Sequence, residues 1–142
     1  MEKILSKSEL DRRGVLLFGA AAVFGGMTFA MSDDVKAEEI APGVTLKMLK
    51  EVVPIGPIPG FSKARLIEIT WQPGSKFGPD TSKTVALCEI QGAPLYVEMD
   101  GMEPFTLQPG DMYACPVGRT ETNTNKSDKP SVMRIMELEP TA

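Results

Sequence analysis

The segment Leu107–Pro130, LQPGDMYACPVGRTETNTNKSDKP, decides the fold of this chain. Turn signals at Gly110 and Gly118 bracket a short apolar strand, and a polar strand follows. Other short strand-like runs end at glycine- or proline-containing turns; they are Ala64–Trp71, Thr84–Ile90, Pro94–Met99, Pro104–Leu107 and Ser131–Leu138. Six or seven short strands without a long helical period predict one all-β barrel or sandwich.

The spacing of these turn residues resembles the second conserved motif of the cupin superfamily. The residues that match its glycine, Pro-x-Gly and asparagine positions are Gly110, Pro116, Gly118 and Asn125. Upstream, Pro73–Gly92 resembles the first cupin motif, and the whole resemblance covers roughly Val44–Leu138. It implies a single cupin-like, jelly-roll-like β-barrel over residues 38–142.

The resemblance also locates the positions at which cupins carry three histidines and a glutamate as metal ligands. This chain has no histidine. Asp80 and Ser82 stand at the first two histidine positions and Val85 or its neighbour at the glutamate position. Glu121 stands at the last histidine position. Two carboxylates offer fewer oxygens than Mg²⁺ or Ca²⁺ prefers, and redox metals usually require imidazole. We therefore predict no metal and no other cofactor; Asp80 and Glu121 are the positions where a metal would bind.

Carboxylates are also the candidates for metal-free acid–base catalysis. If the protein is an enzyme, the working groups are Asp80, Glu89 and Glu121, with burial raising at least one pKa. Side-chain alternation predicts that Glu89 faces the barrel interior. The structural alternative makes Asp80 a solvated turn residue at the barrel rim and Glu121 a strand residue that is exposed or paired with Arg119. Tyr96 and Tyr113 are expected at the barrel rim.

The two cysteines, Cys88 and Cys115, fall on separate predicted strands. In an oxidising compartment they could form a disulfide. Otherwise they are two small buried apolar residues. The sequence leaves both possibilities open.

Residues 1–37 resemble a bacterial twin-arginine export signal. Arg12 and Arg13 match the paired arginines, and the uncharged stretch Gly14–Met31 follows them. Eighteen helical residues span roughly 27 Å, just enough to cross a hydrocarbon core. We expect one N-terminal hydrophobic helix, either cleaved as a signal or retained as a membrane anchor. The domain from residue 38 onward then lies outside the cytoplasmic membrane, in the periplasm.

The formal net charge of −4, without a basic cluster, argues against a nucleic-acid partner. The proline-rich segment 53–61 is a candidate protein contact, because extended proline segments present a pre-ordered surface. Its candidate residues are Pro54, Pro57, Pro59 and Phe61. A homodimer is a further expected assembly.

Two functions follow from these features. The first is a non-catalytic exported cupin, either a small-ligand binder or a membrane-anchored accessory subunit of an envelope-facing complex, for instance an electron-transfer or photosynthetic one. The second is a carboxylate-based cupin enzyme, with or without a metal, of the isomerase, lyase or dioxygenase type.

Overall fold

The computed structural model describes residues 36–52, 56 and 58–142, and this part of the chain consists of β-strands and turns without a helix. It contains ten strands: β1 (Glu38–Ala41), β2 (Val44–Val52), β3 (Phe61–Trp71), β4 (Lys76–Thr81), β5 (Val85–Gly92), β6 (Leu95–Met99), β7 (Phe105–Leu107), β8 (Met112–Cys115), β9 (Thr120–Thr124) and β10 (Ser131–Pro140). The all-β fold class predicted from the turn spacing is confirmed.

The strands form two antiparallel sheets that enclose one core. The larger sheet has the order β1-β2-β3-β10-β5-β8, and the smaller has the order β4-β9-β6-β7. Alternate residues of the central strands point into the space between the sheets, as a period of two requires. The largest fully buried side chains of this core include Val44, Trp71, Ile90, Leu95, Val97 and Met133.

Strands β1, β2 and β4 are not predicted by the sequence pattern. The sequence of β4, KFGPDT, contains a glycine and a proline, which normally argue against a strand. The structure accommodates both residues with an irregularity between Phe77 and Asp80, where the pairing with β9 shifts register. Because β4 is an edge strand, the proline costs the sheet no central hydrogen bond.

Asn125, which matches the asparagine of the cupin motif, fastens the turn between β9 and β10. Its buried Nδ2 donates hydrogen bonds to the carbonyl oxygens of Trp71 (2.9 Å) and Lys129 (2.8 Å). Its Oδ1 accepts hydrogen bonds from the backbone nitrogen (2.9 Å) and hydroxyl (2.7 Å) of Ser127. One side chain therefore ties the turn to the end of β3, which explains why the fold requires an asparagine there.

Several sequence predictions fall on residues outside the described part of the chain. These are the export motif Arg12–Arg13, the expected N-terminal helix, and Pro54 and Pro57 of the proline-rich segment. Within that segment, Pro59 is exposed and Phe61 is half-buried at the start of β3. No helix of the described residues has the length and hydropathy to cross a membrane.

Candidate functional site

A cavity of about 290 Å³ lies between the two sheets. One wall is aliphatic and comes from the larger sheet; its residues are Leu46, Ile67, Ile69, Ala86 and Ile135. The opposite side is polar and comes from the segment 80–84 and from Glu121 on β9. The larger sheet also contributes the ionisable Arg65 and Glu137, so its wall is aliphatic except at this pair.

The structure brings together two of the three predicted carboxylates. Asp80 on β4 and Glu121 on β9 are direct register partners, and both line the cavity. Asp80 is exposed, whereas Glu121 is half-buried. Glu121 accepts hydrogen bonds from the Tyr113 hydroxyl, 3.3 Å from each carboxylate oxygen, and from Asn123 Nδ2 at 3.1 Å. The two positions where cupins carry histidines thus still face one site.

Glu89 lies elsewhere, and the prediction that it faces the interior is wrong. In β5 the buried residues are Ala86, Cys88 and Ile90, so Glu89 occupies the opposite, outer face of the larger sheet. Its carboxylate accepts a hydrogen bond from Gln91 Nε2 at 3.4 Å. Both faces of β5 carry apolar residues, Val85 and Leu87 on the outer face and Ala86, Cys88 and Ile90 on the inner face. Hydrophobicity alone therefore does not reveal which face is inside.

Tyr113 lies in the interior instead of at the rim. It is half-buried, is the register partner of Cys88, and its hydroxyl lies 3.8 Å from Met133 Sδ as well as beside Glu121. Burial, with the charges of Cys88 and Glu121 adding to it, raises the pKa of Tyr113 far above its usual range, so the hydroxyl remains a hydrogen-bond donor. Tyr96 lies on β6, and the Lys126 ammonium sits 3.1 Å from its ring centroid, which is a cation–π contact.

Both cysteines are buried and free in this structure. Cys88 is the register partner of Tyr113, and Cys115 is the register partner of Ala86, so the cysteines are diagonal neighbours on adjacent strands. Burial raises the pKa of Cys88 to about 12 and also raises the pKa of Cys115. The thiols therefore stay protonated and contribute to the cavity wall as small apolar groups.

Arg65 is a site residue that the sequence reasoning missed. It lines the cavity from β3, and its Nη2 lies 2.7 Å from Glu137 Oε2 on β10. Its Nε is buried without a hydrogen-bond partner in the described part of the protein. The available signal was the alternation of β3, in which Arg65 shares a face with Ile67 and Ile69.

The residues present do not fit a cupin metal site. Among the described residues, no group of three or more histidine, cysteine, aspartate or glutamate side chains is arranged to hold a metal ion. Asp80 and Glu121 supply two carboxylates, and the neighbours that contact Glu121 are hydrogen-bond donors. A hard cation would find too few oxygen ligands, and a redox metal would find no imidazole.

The architecture is similar to that of solved cupin structures. An RmlC-like cupin from Shewanella frigidimarina NCIMB 400 matches with a TM-score of 0.58 and 15% identity, over 80% of this chain and 91% of that one. KdgF from Halomonas sp. matches with a TM-score of 0.56 and 16% identity, over 79% of this chain and 94% of that one. A chain of the DMSP lyases RdDddP and RnDddQII matches with a TM-score of 0.54 and 15% identity, over 67% of this chain and 47% of that one.

These likenesses show that the described domain has the cupin fold, as the motif resemblance implied. No protein-family model matches the sequence, and no curated protein matches it significantly. At such low identity a shared fold carries no activity from one protein to another. The chemistry of the cavity is therefore the feature of this chain that bears on its function.

Proposed function

We propose that this protein is a non-catalytic cupin that binds a small ligand and is exported across the cytoplasmic membrane. The observation that carries the proposal is the cavity between the sheets, with its aliphatic wall and its facing polar side. The cavity opens to solvent beside the exposed Asp80, so a small molecule can enter it. Largely apolar pockets with a few placed polar groups are typical of small-molecule sites.

One polar group of the cavity lining supports a bound ligand. Arg65 Nε is buried without a hydrogen-bond partner among the described residues. Buried polar atoms in folded proteins are normally paired, so this nitrogen is a position at which a ligand or an ordered water would be bound. The chain also lacks the imidazoles on which cupin metal chemistry depends. Binding without turnover is the function that this set of groups supports best.

The binding function can be tested by filling the cavity. Ala86 is buried in the cavity wall, and Ala86→Leu adds three carbon atoms there. Ala114 lies on the adjacent strand and is exposed, so Ala114→Leu adds the same atoms outside. Small molecules that raise the melting temperature of the parent protein should also stabilise the Ala114→Leu variant but not the Ala86→Leu variant. An equal response of both variants would contradict binding in this cavity.

A second candidate function, acid–base catalysis, is favoured by the contact between the Tyr113 hydroxyl and Glu121. Glu121 would take a proton from a substrate and Tyr113 would donate a hydrogen bond to it. That lyases occur among proteins of this fold is compatible with such chemistry. Glu89 has no part in it because it lies on the outer face. Conversion of a cavity-bound compound by the parent protein, abolished by Glu121→Gln, would establish this function over simple binding.

The export half of the proposal rests on the sequence of residues 1–37. Replacing Arg12 and Arg13 together by lysine should keep the full chain in the cytoplasm, because twin-arginine signals depend on the arginine pair. Fractionation of cells that carry the parent and the double variant measures this directly. Unchanged export of the variant would show that the segment is not such a signal.

We further propose that the exported domain remains tethered to the membrane and serves an accessory role in a membrane complex. The support is the uncharged stretch Gly14–Met31, which is long enough to span, together with the proline-rich segment, of which Pro59 is exposed. Native size separation in mild detergent, combined with the intact mass of the chain, tests both claims. An unprocessed chain in a large assembly is the expected result. A cleaved chain that runs as a monomer or homodimer would contradict the accessory role.

A further inference from the structure

The ionisable groups that line the cavity leave an excess of negative charge. There are three carboxylates, on Asp80, Glu121 and Glu137, and two cationic groups, on Arg65 and Lys83. Arg65 is engaged by Glu137 at 2.7 Å. In the described part of the protein, no lysine or arginine nitrogen lies within 4.0 Å of the Asp80 or Glu121 carboxylate. Lys83 also has no salt bridge in this part, so the lining carries one net negative charge, which favours a cation.

The two carboxylates without a salt bridge, Asp80 and Glu121, are placed directly opposite each other. As register partners in an antiparallel pair, Asp80 and Glu121 have Cβ atoms roughly 4.5–5.5 Å apart. Like charges in that relation destabilise a sheet. The hydrogen bonds that Glu121 receives come from neutral groups, Tyr113 and Asn123, which do not cancel its charge. A positive charge between the two carboxylates would turn this repulsion into attraction.

Asn123 fixes the position of the Glu121 carboxylate without carrying a charge. Its side chain is only 3% exposed, and its Nδ2 lies 3.1 Å from Glu121 Oε1. The opposite amide orientation would place Oδ1 against the carboxylate, so the contact through Nδ2 sets the orientation of the amide. A neutral side chain from behind the cavity lining therefore holds Glu121 at the cavity.

The opposite wall determines the rest of the ligand. Ile67, Ile69 and Ile135 form it together with Leu46, beside the Arg65–Glu137 ion pair. No aromatic side chain is among the lining residues of the described part. A volume of about 290 Å³ equals that of roughly ten liquid waters. The wall therefore suits a short aliphatic body, whereas a bare inorganic cation would leave it without contact.

We propose that the cavity binds a small aliphatic ammonium ion, with its charged head between Asp80 and Glu121 and its hydrocarbon body against the isoleucines. The inference rests on the ligand-binding function proposed above and specifies its chemical class. It requires no metal and no covalent step.

The test compares three probes with the same four-carbon body: n-butylammonium, n-butyrate and 1-butanol. The full chain, in an uncharged detergent, is titrated with each probe while the methyl NMR signals of Ile67 and Ile135 are followed. Butylammonium should bind at least tenfold more tightly than butyrate or butanol. Glu121→Gln, which preserves size, should weaken butylammonium binding at least tenfold. Glu89→Gln, which removes the same charge from the outer face, should leave that binding unchanged.

The other outcomes separate the two proposals. Equal binding of the three probes, or no effect of Glu121→Gln, would overturn the ammonium inference and leave the ligand-binding function standing. Displacement of butylammonium by millimolar Ca²⁺, with a Ca²⁺ response that Glu121→Gln abolishes, would replace the organic cation by an inorganic one. If none of the probes shifts either methyl signal while Ala86→Leu and Ala114→Leu also respond alike to small molecules, the ligand-binding function itself fails.

Discussion

The turn fastened by Asn125 offers a quantitative test of why this fold keeps an asparagine after β9. Asn125→Ala removes four hydrogen bonds at a fully buried position. At about 0.5–1.5 kcal/mol net for each bond, the loss in free energy of unfolding should be about 2–6 kcal/mol. The carbonyl oxygens of Trp71 and Lys129 would lose their side-chain donor, which places the expected value near 4 kcal/mol. Such a loss is a large fraction of the stability of an ordinary domain, roughly 5–15 kcal/mol.

Urea unfolding of the full chain measures this loss. With a slope of about 1–3 kcal/mol per molar urea, the midpoint should fall by about 2 M. A loss below about 1 kcal/mol would refute the reasoning, because it would mean that water or a relaxed turn replaces all four bonds.

Asn125→Asp serves as the matched variant, since it keeps the size and the acceptor oxygens but loses the donors to Trp71 and Lys129. At neutral pH its carboxylate would face two carbonyl oxygens, so we expect it to be at least as destabilised as the alanine variant. Burial raises the pKa of such a carboxyl above its unfolded value, and the folded state therefore holds the proton more tightly. The deficit of the variant relative to the parent should shrink as pH falls, and a constant deficit would argue against this picture.

Further predictions concern the backbone and the buried protons. Gly78→Ala would place a Cβ 2.6 Å from the carbonyl oxygen of Glu121, whereas Gly110→Ala, also at positive φ, meets nothing within 4 Å. Gly78→Ala should therefore reduce the free energy of unfolding by about 1–3 kcal/mol more than Gly110→Ala. Equal losses in urea unfolding would show that the positive φ alone, without the steric contact, accounts for the destabilisation. Burial raises the pKa of Cys88 from 9.0 to about 12 and also raises the pKa of Tyr113, so the folded state keeps both protons longer than the unfolded chain. The stability that these protons contribute is complete below pH 9 and is lost as pH rises towards 12. Cys88→Ala should therefore flatten the decline of the urea midpoint with pH over this range. An unchanged slope would be inconsistent with a raised pKa of Cys88.

The turns could be predicted because their conformations are local. Gly110 and Gly118 both adopt positive φ, at 92° and 85°, which only glycine does without strain, so their positions can be identified from sequence alone. The apolar strands between such turns were found within a few residues of their true bounds. Strand β4 could not be predicted because Gly78 and Pro79 are residues typical of a turn. An edge position and a local irregularity allow both residues in a strand.

The site could be predicted only in part, because the face on which a side chain lies depends on strand register. The motif alignment placed Asp80 and Glu121 at ligand positions, and the two do meet in the cavity. A shift of one residue in phase moves a side chain to the other face, which is why Glu89 was assigned to the interior and Tyr113 to the rim. Arg65 was missed because its pairing with Glu137 joins strands more than seventy residues apart.

The division of the cavity between two sheets has a consequence for how this chain can diverge. Its aliphatic wall belongs to the same rows of β3, β5 and β10 that form the core of the larger sheet. The two carboxylates belong instead to the edge pair β4–β9 of the smaller sheet, where Asp80 is exposed and Glu121 is half-buried. Changes at Asp80 would alter the charge at the cavity without touching the aliphatic core, whereas changes at Glu121 would also remove the hydrogen bonds from Tyr113 and Asn123. Relatives of this chain can therefore differ in charge at Asp80 while inheriting an unchanged core.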